Sequence, residues 1–144
     1  MELKLIELTH KNEILQTYEI YKHSMFMPTE EKFSKKADRF LKDDSVKIFA
    51  CLSQGVIKGV MVVSFIEEKK IEMMGIAVGS SARGKGVGSY MINQMINGYG
   101  LLSIYAETDN GAVGFYRNNG FSIAEFSETY DAETVIRYKC KWTQ

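Results

Sequence analysis

Residues 78–90 read VGSSARGKGVGSY, with glycines at 79, 84, 86 and 88 and cations at 83 and 85. An apolar run, IEMMGIAV, leads into the stretch, and MINQMIN follows it. A strand feeding a glycine-rich turn that opens a helix exposes backbone N–H groups. It also aims the positive end of the helix dipole at its ligand, usually a phosphate. Two side chains elsewhere have proton-transfer chemistry. Tyr116, in GAVGFYRNNGF, is a phenol that can donate a proton, and Glu72 is the only charged residue within Ile71–Val78.

The elements that must position these groups follow from periodicity and turn chemistry. LKLIEL alternates as an opening strand, and Thr9 caps a helix from about Lys11 to Lys22. A second helix starts near Pro28. Glu30 and Glu31 lie at its positive end, and Phe33, Ala37, Phe40 and Leu41 share one face. Residues 46–78 form three β-rich runs with turns at Gln54-Gly55 and Glu67–Lys70, an antiparallel meander. The helix after the glycine loop repeats Val87, Met91, Met95 and Ile92, Ile96 at i, i+4 and ends at Gly98. A strand (LLSIYAE), a short helix capped by Asn110 and stopped by Gly120, and two final strands complete the chain. The strand-helix-strand unit at 71–107 demands a right-handed parallel crossover. The fold class is therefore mixed α/β: a mainly antiparallel sheet with one parallel β-α-β crossover and helices on both faces, in a single domain over 1–144.

Composition narrows the function. The chain is 45% hydrophobic and 25% charged, and 18 cationic residues balance 18 acidic ones. No net field recruits nucleic acid or an anionic membrane. No apolar run has the length of a membrane span, and the acidic start MELKLIEL is unlike a signal peptide, so a cytoplasmic location is expected. Cys51 and Cys140, in strand-like runs, read as reduced thiols, and no zinc-ligand spacing occurs, so no metal is expected.

Three phosphate-binding patterns compete for the loop. Gly79 to Lys85 fits G-x-x-x-x-G-K, but the nucleoside triphosphate site needs Ser or Thr next, and Gly86 has no side chain. Gly84, Gly86 and Gly88 give G-x-G-x-G rather than the dinucleotide pattern G-x-G-x-x-G. Glu107 stands about where a ribose-binding acid belongs, but the meander upstream leaves no room for a doubly wound sheet. Third, Arg83-Gly84-Lys85-Gly86-Val87-Gly88 resembles the R/Q-x-x-G-x-G/A signature of the GCN5-related N-acetyltransferase (GNAT) superfamily. A second block, from Asn110 through Ala112, Phe115 and Tyr116 to Gly120-Phe121, resembles that family's N-x-x-A-x-x-F-Y-x-x-x-G-F motif. Ala112 lies one position earlier than the motif puts it. The element order also matches the family's fold, although the first 45 residues match in pattern only.

The resemblance implies acetyl-CoA as acyl donor, with no metal. Backbone N–H groups from Arg83, Gly84, Lys85, Gly86, Val87, Gly88 and Ser89 would hold the pyrophosphate, and Arg83 and Lys85 would add charge-assisted contacts. Ile76, Ala77 and Val78 would pair with the pantetheine arm as an added strand does. Gly75 suits a bulge that splays this strand. Asn110 would bond an arm amide or simply cap its helix, and Phe115 would join the cofactor site. Tyr116 would stabilise or protonate the departing thiolate. Full transfer from a phenol near 10 to a thiolate near 8.5 is uphill by about 2 kcal/mol, so hydrogen bonding matters as much as transfer. Glu72, read on the same face as Met74 and Ile76, would serve as the base or stand as a solvated carboxylate.

The implied reaction is N-acetylation of a primary amine on a small molecule or peptide. The acceptor site would draw on Met25 and Phe26 and on Glu128 and Tyr130 of the last turn, with Asp131 and Glu133 nearby attracting a cationic amine. A non-catalytic acetyl-CoA or CoA sensor is the alternative. A monomer or homodimer is expected.

Overall fold

In chain order the elements are β1 (Lys4–Leu8), α1 (Lys11–Leu15), α2 (Tyr18–Tyr21), α3 (Glu30–Lys42), β2 (Val46–Ser53), β3 (Val56–Glu67), β4 (Lys70–Val78), α4 (Val87–Tyr99), β5 (Ser103–Thr108), α5 (Val113–Asn118), β6 (Ser122–Tyr130) and β7 (Glu133–Thr143). The structure is a computed structural model that describes residues 1–144. Seven strands make one sheet in the order β1-β2-β3-β4-β5-β7-β6. Only β4 and β5 run parallel, with α4 crossing between them. The mixed α/β class with a single parallel crossover is what the alternation of the meander and the 3.6-residue period of α4 require.

The two faces of the sheet carry separate cores. On one, Met61, Val63, Ile71 and Met73 pack with Val87, Met91 and Met95 of α4, and the same core runs on through Ile104, Ala106, Phe121 and Cys140. On the other, Ile14, Tyr21, Phe33, Ala37 and Phe40 of α1–α3 cover Ile48, Val60, Val62 and Ala77. This second core ends at β4. Rings of Tyr18 and Tyr21 lie 5.5 and 5.3 Å from that of Phe33 and hold α2 against α3. Such aromatic pairs contribute about 0.5–1.5 kcal/mol each beyond area burial.

Several local expectations change. The helix expected over 11–22 is two short helices and a 3-10 turn at Lys22–Ser24. Buried Thr17 donates its hydroxyl to the Ile14 carbonyl at 2.7 Å, a local bond that competes with the helical ladder. Its cap position is His10 rather than Thr9, and the Glu13 carboxylate accepts from the backbone N–H groups of both. Helix α4 continues past Gly98 to Tyr99 and ends at Gly100.

The largest correction concerns β4. Its register against β3 shifts at one point: Val62 faces Gly75 and Val63 faces Met73, so Met74 is the extra, bulged residue. The bulge inverts the alternation. Ile71 and Met73 face the α4 core before it, and Ile76 and Val78 face that core after it. Glu72 therefore lies on the opposite face from Ile76, because one inserted residue exchanges the two sides of a strand. Gly75 borders the bulge that its glycine suggested, and it also permits close approach: a Cβ there would sit 2.6 Å from the Tyr21 hydroxyl oxygen and 2.9 Å from Cε2.

Candidate active site

Pairing between β4 and β5 stops after Glu72 meets Tyr105. Beyond that rung β5 stays with β7 through Thr108, while β4 stays with β3 through Val78. The sheet therefore opens into a cleft of about 600 Å3, within the usual range for small-ligand sites. One wall is Met73–Val78, the other Glu107–Asp109, and α5 contributes Ala112, Phe115 and Tyr116.

The open wall offers backbone hydrogen bonds. The Ile76 carbonyl accepts from Ser24 Oγ at 3.0 Å and that of Val78 from Arg83 Nε at 3.4 Å, both away from β3. A strand residue directs its N–H and C=O to the same side, so the Ile76 and Val78 amides also point into the gap. Ala77, between them, turns its side chain to the α1–α3 core.

At the end of this wall Ser80–Ala82 forms a 3-10 turn, and Gly84 and Gly86 take φ of 75° and 79°. That left-handed conformation costs other L-residues roughly 1–2 kcal/mol, which explains glycine at both positions. Gly86 is the N-cap of α4 and supplies no side-chain cap, and the first turn holds no acid. The first N–H groups of the 13-residue helix, at Val87, Gly88 and Ser89, therefore face outward without an intrahelical acceptor. Lys85 is exposed beside them. Gly88 lies under the Phe115 ring, whose Cε1 would be 2.6 Å from a Cβ there. The loop and α5 are thus locked together across the cleft mouth.

Tyr116 is 5% exposed yet lines the cleft. Burial pushes its hydroxyl well above the ordinary phenol range, the Cys140 thiol adds to this, and no hydrogen bond offsets it. The group stays protonated, as a donor must. Asn110 does not cap α5. The cap position is Ala112, and Asp109 Oδ1 accepts from the N–H groups of Gly111 and Ala112 at 2.9 and 3.1 Å. Asn110 Oδ1 instead accepts from the Tyr138 hydroxyl at 3.1 Å.

Met25 and Phe26 also line the cleft, and Phe26 is 87% exposed. Glu128 and Tyr130 stand on the β6–β7 hairpin outside the lining, joined by a hydrogen bond from the Tyr130 hydroxyl to Glu128. Glu72, exposed at the last paired rung, is also outside it. Three charged residues that do line the cleft were not assigned to it from sequence: Glu107, Asp109 and Arg137. Glu107 had a signal only in the dinucleotide pattern, and Arg137 had none. No three His, Cys, Asp or Glu side chains are grouped to hold a metal, and no helix is long and apolar enough to cross a membrane.

A splayed parallel pair with a phosphate-type loop at its end defines a class, and comparison names it. Residues 14–121 match the family model "Acetyltransferase (GNAT) family". The chain belongs to the GNAT acetyltransferase family. Solved structures agree in fold at low identity. A GNAT family acetyltransferase from Elizabethkingia anophelis with acetyl-CoA bound superposes with a TM-score of 0.71 at 15% identity, covering 99% of this chain and 98% of that one. A mutant spermidine N-acetyltransferase from Vibrio cholerae gives 0.75 at 15% identity, covering 99% and 94%. The ribosomal-protein-S18-alanine N-acetyltransferase from Escherichia coli gives 0.72 at 14%, covering 99% and 94%. No curated protein sequence matches the chain significantly.

Proposed function

We propose that the chain transfers an acetyl group from acetyl-CoA to a primary amine of a small molecule or peptide by direct attack. The observation that carries this reading is the unpaired inner edge of β4, with a donor-rich loop at one end and the protonated Tyr116 hydroxyl across the cleft.

The pyrophosphate is held by the N–H groups of residues 83–89, with Arg83 and Lys85 supplying cations. The pantetheine arm pairs with Ile76 and Val78, and Phe115 closes over the loop. The Ile76 N–H polarises the thioester carbonyl as its oxygen gains charge. The neutral amine nitrogen bonds to the carbonyl carbon, the C–S bond breaks, and the sulfur leaves with the electron pair. The nitrogen loses one proton, and Tyr116 hydrogen-bonds or protonates the sulfur. Glu107, inside the cleft, is better situated than Glu72 to receive the amine's proton, directly or through water. Tyr116 is what separates an enzyme from a sensor, since binding alone has no need of a buried proton donor.

The test is thiol release from acetyl-CoA over a panel of polyamines, aminoglycosides, amino acids and peptide N-termini. The reading expects turnover with at least one class. Tight acetyl-CoA binding without turnover on any amine would establish the sensor instead.

A further inference from the structure

The face of the sheet that carries α1–α3 is bare over β5, β7 and β6, since its core ends at β4. Tyr138 and Cys140 point into the opposite core, so Arg137 and Lys139 point to this bare face. Glu107 pairs with Lys139 across the β5–β7 ladder and shares that face. Arg137, two residues from Lys139, is then the diagonal neighbour of Glu107, a relation that separates backbone positions by about 7–8 Å. Both side chains line the cleft, yet they form no ion pair with one another.

Arg137 is incompletely satisfied. Its Nε is buried without a hydrogen-bond partner: the nearest carboxylate oxygen, Glu128 Oε2, lies 3.8 Å from that same atom, an ion pair too long for a hydrogen bond. The side chain is 31% exposed, so part of it remains accessible. A guanidinium is a planar fork matched to a carboxylate, and an orphaned buried N–H carries the full desolvation penalty until something accepts from it. Glu128 is already shared with the Tyr130 hydroxyl. Among the charged side chains of the cleft, Glu107 and Asp109 would attract the amine end of an acceptor and Arg137 would repel a second positive charge.

We propose that Arg137 binds a carboxylate of the acceptor while Glu107 holds its amine end, so that the substrate class is an amino acid or a similar amine that carries a carboxylate. This rests on the transferase reading above and narrows it. The apolar Met25 and Phe26 then face the rest of the molecule.

Matched acceptor sets test it: L-leucine, L-leucinamide and isopentylamine; L-phenylalanine, L-phenylalaninamide and phenethylamine; and spermidine as a purely cationic amine. Wild type, Arg137→Lys and Arg137→Gln are compared, with melting temperature and acetyl-CoA affinity confirming that each variant folds. The expected result is kcat/KM higher for the amino acid than for its amide or decarboxylated amine by roughly ten- to a hundredfold, the range of a charge-assisted hydrogen bond. Arg137→Gln should erase that preference mainly through KM, and Arg137→Lys should keep part of it. Equal or better turnover of the amides, simple amines or spermidine by wild type overturns the proposal and leaves the transferase reading standing. Turnover with no amine at all overturns both, and acetyl-CoA titration then shows whether the donor site survives.

Discussion

The two faces of the sheet are finished to different degrees. The α4 face is one continuous core from Phe49 to Cys140, and the loop and α5 that would hold the donor are locked over it by the Gly88–Phe115 contact. The opposite face is packed only as far as β4, and beyond it lie charged residues and the open cleft. On the proposed reading the labour is divided: a constant donor would be met by backbone groups on a rigid scaffold, and the acceptor by side chains that can differ without disturbing a core.

Tyr116→Phe should produce the largest effect if the donor side is catalytic rather than merely binding. It should lower kcat about 10²- to 10⁴-fold, the usual contribution of a positioned acid, with acetyl-CoA affinity nearly unchanged. Undiminished kcat in steady-state assays would reduce Tyr116 to a core aromatic. Gly86→Val should come next. A side chain at φ 79° is strained by roughly 1–2 kcal/mol, so the loop relaxes away from its donor geometry and affinity falls about tenfold. Calorimetric titration of acetyl-CoA reads this directly, and an unchanged dissociation constant would remove the loop from the site.

The seam between the two halves offers smaller effects. Gly75→Ala places a methyl against Tyr21, and overpacking of this kind costs about 1–3 kcal/mol in denaturant unfolding. Pairing it with Tyr21→Phe should recover part of the loss, since the hydroxyl is the closest obstacle; strictly additive losses would mean that the contact is not the cause. Tyr21→Phe alone gives the mildest signature. Burial pushes the Tyr21 phenol up from the ordinary 10.0 to about 12, which favours the protonated form in the folded state. That stabilisation is complete below about pH 10 and fades as pH rises toward 12, so wild type loses stability there and the Phe variant loses less. Parallel alkaline unfolding curves would contradict this.

What the sequence disclosed follows the same division. The turn around Gly84–Gly88 and the block ending in Gly120-Phe121 were readable because left-handed backbone and close approach impose glycine locally. The meander was readable from alternation and from Gln54-Gly55. The side assigned to Glu72 failed because Gly75 marks a bulge without fixing which neighbour is inserted, and the extra residue at Met74 exchanges every side chain after it. The helix over 11–22 failed at Thr17, where a local side-chain bond outweighed periodicity. Asn110 failed as a cap because the turn before α5 is held by Asp109, whose Oδ1 takes the N–H groups of Gly111 and Ala112, and the cap position falls at Ala112. Arg137 was invisible because its cleft neighbour Glu107 lies thirty residues away and comes near it only through the sheet.

The central claim is that the separated edge of β4 is where the donor binds, and amide hydrogen exchange with and without acetyl-CoA tests it most directly. Slowed exchange is expected at Ile76, Val78 and residues 84–89 on binding, with the β6–β7 hairpin unchanged. Protection confined to other segments, or none along β4 at saturating acetyl-CoA, would contradict it.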